Sequence, residues 1–175
     1  GSWNGTAWTD VTRLHIWADN ASLYVYIPMP DYDPSVSEGS YLLAINTTSG
    51  GGNTGDPWGN AITFDYNNVD GAATVAKMQP DYVIRGSVIN SLGGSDAGNG
   101  WTELRHWQNG NWSTGSGVNW GGITGSNLIG THVAYSNTQG IELAIPLADI
   151  GNPDPVNVHL QFFTTQGGGG KGAYD

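Results

Sequence analysis

The stretch that most constrains the fold is VTRLHIWADNASLYVYIP, Val11 to Pro28, in which Leu14, Ile16, Leu23, Val25 and Ile27 alternate with residues of another kind. Alternation with a period of two is the signature of a strand that lays one face on a core. Asp19-Asn20-Ala21 separates the two halves, so the sequence predicts a hairpin with a tight turn. Its opposite face is unusual: Arg13, His15 and Trp17 stand on the first strand, Tyr24 and Tyr26 on the second. Cross-strand neighbours there form an aromatic, hydrogen-bonding surface. Two readings stand. The face is a ligand platform, or it is a seat for another segment, because aromatic side chains favour strands for packing reasons alone.

The rest of the chain is punctuated in the same way. Tyr41–Asn46, Ala61–Gly71, Tyr82–Arg85, Leu128–Tyr135, Gly140–Pro146 and Val156–Thr165 read as strands, and Ala148-Asp149-Ile150-Gly151 as one helical turn. Trp101–Trp112 reads as a hairpin closed at Gln108-Asn109-Gly110, since the Asn-Gly pair suits a type I′ turn. The prolines of PMPDYDPS and the glycines of Ser49–Trp58, Ser91–Gly100 and Thr114–Gly125, the last holding Trp120, mark loops. No segment carries an amphipathic helix and no fixed repeat is present. The prediction is an all-β antiparallel β-sandwich, jelly-roll or immunoglobulin-like, with little or no helix. Its 175 residues form one domain, with residues 166–175 a glycine-rich tail or linker.

Charge narrows the partners. Five Lys and Arg against 15 Asp and Glu give a formal charge of −10, a field that repels phosphate backbones and anionic membranes. Polarity comes mainly from Asn, Ser, Thr and Gly, which hydrogen-bond without ionising and suit neutral polyhydroxylated ligands. No apolar run approaches the roughly 20 residues that span a bilayer. With no cysteine, thiolate chemistry and disulfides are excluded.

Eight tryptophans and eight tyrosines against three phenylalanines favour rings that pair an apolar face with a polar edge, the combination that stacks on a sugar while hydrogen-bonding it. Trp58, Trp101, Trp107, Trp112 and Trp120 lie in or beside glycine-rich loops; each contacts ligand or packs beneath its loop. Glu103, Arg105, Asn109 and Asn111 either reach vicinal hydroxyls or form a solvated edge. With the hairpin's Trp17, Tyr24 and Tyr26 these residues are the candidate carbohydrate contacts. Asp31 with Asp33, and Asp65 with Asp70, put carboxylates near oxygen-rich turns and are the candidate calcium ligands, although no EF-hand pattern is present. His15, His106, His132 and His159 lack the close spacing of a zinc site, and no nucleophile elbow or organic-cofactor motif occurs. Glu103, Glu142 and an Asp are available as a hydrolytic carboxylate pair, but spacing alone does not set them across one bond.

VTRLHIWADNASLYVYIPMP, MQPDYVIRG, WTELRHWQNGNW, GIELAIPLADIG and the closing FFTTQ and KGAYD resemble the β-sandwich modules appended to secreted α-glucan-degrading enzymes. Amylopullulanases and related α-amylases carry such modules, which are similar to the glucodextranase C-terminal module and to DOMON and family 9 carbohydrate-binding domains. The resemblance implies a DOMON-like sandwich that is extracellular, non-catalytic and often calcium-bearing, and that holds a covalently linked glycoside hydrolase on starch, pullulan or another neutral α-glucan. The expectation is a monomeric carbohydrate-binding module with no nucleic-acid partner and no membrane insertion. The alternatives are an assembly domain of a surface layer or filament, and a small glycosidase.

Overall fold

The computed structural model describes residues 13–28, 39–48, 79–87, 100–113, 119–123, 127–129, 132–136 and 140–166. Among these residues eleven strands run β1 (His15–Ala18), β2 (Ser22–Pro28), β3 (Gly39–Asn46), β4 (Tyr82–Ser87), β5 (Gly100–Gln108), β6 (Asn111–Trp112), β7 (Asn119–Ile123), β8 (Asn127–Ile129), β9 (Val133–Ser136), β10 (Gly140–Pro146) and β11 (His159–Gln166). They form two antiparallel sheets. The first has the order β1-β2-β10-β9-β8, the second β11-β3-β4-β5-β6, with β7 also paired to β5. Among the described residues the only helices are two 3-10 turns, Leu147–Ile150 and Pro155–Asn157. None is long and apolar enough to cross a membrane. The protein is an all-β sandwich.

The alternation read from the sequence accounts for the core. Leu23, Val25 and Ile27 of β2 pair with Ile145, Leu143 and Ile141 of β10 and face Leu43, Ile45, Ile84 and Leu104 of the other sheet in one buried cluster. Within that cluster the ring of Tyr41 on β3 crosses Gly86 on β4, and its hydroxyl shares a 2.8 Å hydrogen bond with Thr102 Oγ1 on β5. Burial pushes the Tyr41 phenol far up, so the hydroxyl stays neutral.

Four sequence expectations are corrected. Leu128–Tyr135 is not one strand: β8 and β9 are antiparallel neighbours, so the chain reverses inside it. Asn119–Ile123, expected as loop around Trp120, is strand β7, held by backbone pairing to β5 that glycine does not prevent. Val156 belongs to a 3-10 turn opened by Pro155 and capped by Asp154, whose carboxylate accepts from the Val156 amide. Gln166, placed in the tail, ends β11 and pairs with Gly39. The expected strand at Ala61–Gly71 lies outside the described residues, as does the tail beyond Gln166.

Candidate functional site

The β1–β2 hairpin forms where the sequence places it. Asp19 Oδ1 accepts hydrogen bonds from the amides of Ala21 and Ser22, both at 2.8 Å, which closes the turn. Its other oxygen, Oδ2, accepts from the Tyr24 hydroxyl at 3.0 Å. These three donors, the backbone amides foremost, hold the Asp19 carboxyl below its ordinary value. One carboxylate therefore fixes both the turn and the position of a ring.

That ring belongs to an outward-facing row. Register puts Trp17 opposite Tyr24 and His15 opposite Tyr26. Trp17 and Tyr24 stack at 5.2 Å with their planes 8° apart, and His15 meets Tyr26 at 5.6 Å and 34°. All four residues of β1 are exposed, Trp17 at 46%, and both tyrosines are half-buried. On β1 this face is exposed to solvent. Ile16, predicted to face the core, is 51% exposed because β1 is the sheet's edge.

The rows continue onto β10 and β9. Tyr24 is opposite Ala144, whose amide donates to the His132 carbonyl at 2.9 Å; Tyr26 is opposite Glu142, itself opposite Ala134. Val133 points into the core, so alternation puts its neighbours His132 and Ala134 on the outer face. Across the sheet one row reads Trp17, Tyr24, Ala144, His132, and the next His15, Tyr26, Glu142, Ala134. Sequence reasoning missed Glu142, Ala144 and His132 as neighbours of the aromatic hairpin, since only the strand order brings them there.

The second set of candidates lies on the far side of the sandwich. Asn109 and Gly110 have positive φ, 54° and 79°, as the expected Asn-Gly turn between β5 and β6 requires. Trp107 and Trp112 pair edge to face at 5.3 Å and 70°. Both are half-buried, and Trp112 packs against Leu42, Ala44 and Val83, which are fully buried on the outer face of their sheet. That face is a second apolar core rather than an open platform. Arg105 Nε donates to Glu103 Oε1 at 2.9 Å, so these two groups are engaged with each other, while Asn109 is exposed at the hairpin tip. Glu103 and Glu142 stand on opposite faces of the sandwich and cannot flank one bond.

Trp101 and Trp120 are placed in β5 and β7 by their backbones. Trp58 and the calcium candidates Asp31, Asp33, Asp65 and Asp70 lie outside the described residues. Among the described residues no group of three or more His, Asp or Glu could hold a metal ion. Comparison of the chain with protein-family models, curated proteins and solved structures finds no match.

Proposed function

We propose that the protein is a non-catalytic carbohydrate-binding module that recognises a neutral glucan on the outer face of its first sheet. The observation that carries the reading is the aromatic row of Trp17 and Tyr24, beside His15 and Tyr26 and exposed on β1, on a chain of formal charge −10. Flat rings with polar edges stack on sugar C–H faces, and the negative field selects against acidic polymers. Exposed Glu142 supplies an acceptor for a hydroxyl. Function follows from proximity: a module joined to a hydrolase raises the local substrate concentration around the catalytic domain, in an extracellular setting. A structural calcium held by Asp31, Asp33, Asp65 and Asp70, which lie outside the described residues, belongs to the same proposal.

Affinity electrophoresis in gels of starch, pullulan, xylan and β-glucan, with and without EDTA, tests this. Retardation by an α-glucan supports it, and loss of retardation in EDTA makes calcium part of the site or its scaffold. Absence of retardation in every gel refutes it.

One observation favours a second reading. Among the described residues β1 is an edge strand with Ile16 and Trp17 exposed, a geometry that accepts another strand. An assembly domain would then self-associate with rising concentration in sedimentation, whereas a binding module keeps its monomer mass.

A further inference from the structure

The indole of Trp17 and the ring of Tyr24 form an offset stack, 5.2 Å between centroids with their planes 8° apart. One indole face is thus against Tyr24, and the exposure that Trp17 retains, 46%, is on the side turned away from it. A ring on an edge strand holds a ligand well when it is already in place, because ordering a mobile side chain on binding costs affinity.

Asp19 supplies that order. Its amide donates to the Ser22 carbonyl at 3.0 Å, and its Oδ1 accepts from the amides of Ala21 and Ser22, both at 2.8 Å, so the carboxylate is fixed by the turn it closes. The remaining oxygen, Oδ2, accepts from the Tyr24 hydroxyl at 3.0 Å. Contacts therefore run unbroken from the turn backbone to Asp19, to Tyr24, to Trp17. The next pair along the hairpin, His15 and Tyr26, has the same cross-strand register but is tilted by 34° at 5.6 Å. Register alone brings two rings together without making them parallel.

We infer that Asp19 is a positioning residue for glycan binding: it holds Tyr24 behind Trp17, so that the far face of the indole is a preformed stacking surface for one neutral pyranose ring. This rests on the reading that the face binds a neutral glucan, and it names the ring that meets the sugar and the group that keeps it in place. Trp17 makes the contact, Tyr24 backs it, and Asp19 acts through Tyr24 without touching the ligand. Because the two carboxylate oxygens serve different partners, turn and ring can be uncoupled. Tyr24→Phe cuts the tie to the ring and leaves the bonds that close the turn.

The full chain and its variants Trp17→Ala, Tyr24→Phe, Asp19→Ala and Asp19→Asn are compared in gels of starch, pullulan, xylan and β-glucan, below the melting temperature of each. Proton NMR of the ring at position 24 reads the stacking, since the ring current of the Trp17 indole shifts those protons upfield. Expected are retardation of the wild type by a neutral glucan and none for Trp17→Ala. Tyr24→Phe binds about two- to tenfold more weakly, with a smaller upfield shift. Asp19→Ala falls at least as far. Asp19→Asn recovers most of that loss, because its Oδ1 still accepts from the amides and its Nδ2 donates to the Tyr24 hydroxyl. If the wild type binds and Tyr24→Phe binds equally, or binds weakly with an unchanged ring shift, the positioning role is wrong and the binding reading survives. If Trp17→Ala binds as the wild type does, the stacking surface is wrong. If no gel retards the wild type, both readings fall.

Discussion

Replacing Gly86 with alanine should destabilise the sandwich, and the sign of the change should reverse when Tyr41 is shortened. A Cβ on Gly86 would overlap the Cζ, Cε1 and hydroxyl of Tyr41. Gly86 is not among the residues of positive φ, so its backbone accepts alanine and the whole cost comes from the ring. To make room the Tyr41 ring must tilt away, which strains a site where the ring is 1% exposed and breaks the 2.8 Å bond to Thr102, itself 1% exposed. Overpacking costs about 1–3 kcal/mol. Leaving buried hydroxyls unpaired adds about 1–3 kcal/mol. We therefore expect a loss of about 2–6 kcal/mol, or about 4–24 °C in Tm for a domain of this size.

In a Tyr41→Leu background the obstructing ring atoms are gone. Only the ordinary cost of glycine inside a strand remains, so Gly86→Ala should there stabilise by about 0.5–1 kcal/mol. Urea denaturation of the four proteins in the cycle, followed by far-UV circular dichroism, measures both legs and their coupling. Equal effects of Gly86→Ala in the two backgrounds would refute the packing argument.

The Asp19 carboxyl is depressed by its hydrogen bonds, so the order it gives the β1–β2 turn is present above its ordinary value of 3.8 and lost as pH falls through the lower folded value. Acid titration of the Ala21 and Ser22 amide resonances should show that step in the wild type and not in Asp19→Asn. Asp81 Oδ2 accepts from the Thr47 and Thr48 amides at 2.8 and 3.0 Å, and both threonine hydroxyls also donate to the carboxylate. Asp81→Ala should cost about 2–4 kcal/mol in urea denaturation, because charge-assisted bonds are the stronger ones. Gly151 closes the 3-10 turn at φ +83°, with the Tyr82 hydroxyl 3.1 Å from where a Cβ would sit. Gly151→Ala should lower stability by about 1–2 kcal/mol in the same assay.

What was legible in the sequence was what is local. The β1–β2 hairpin, its Asp19 turn and the Asn109-Gly110 turn were readable because each is set by residues within a few positions, and β10 matched its predicted span, Gly140–Pro146, because its alternation is uninterrupted. Alternation carries no direction, so the reversal between β8 and β9 looked like one continuous strand. Glycine-rich composition hid β7, whose pairing to β5 uses backbone groups that every sequence has. Ile16 has the right parity for the core but lies on the edge strand, a fact of strand order.

The same limit governs the site. Trp17, Tyr24 and Tyr26 were readable as one face because a hairpin is a local pairing. The residues that give this face a shape, Glu142, Ala144 and His132, come from over a hundred residues further along and meet it only because β10 inserts beside β2. Conversely, Glu103, Arg105 and Trp112 looked like binding groups by type, and the fold engages them with each other and with a buried apolar cluster. Residue type nominates a contact, but register decides whether its partner is already present in the chain. By that criterion the strongest opening for a ligand is the β1 end of the aromatic row, where Trp17 is 46% exposed.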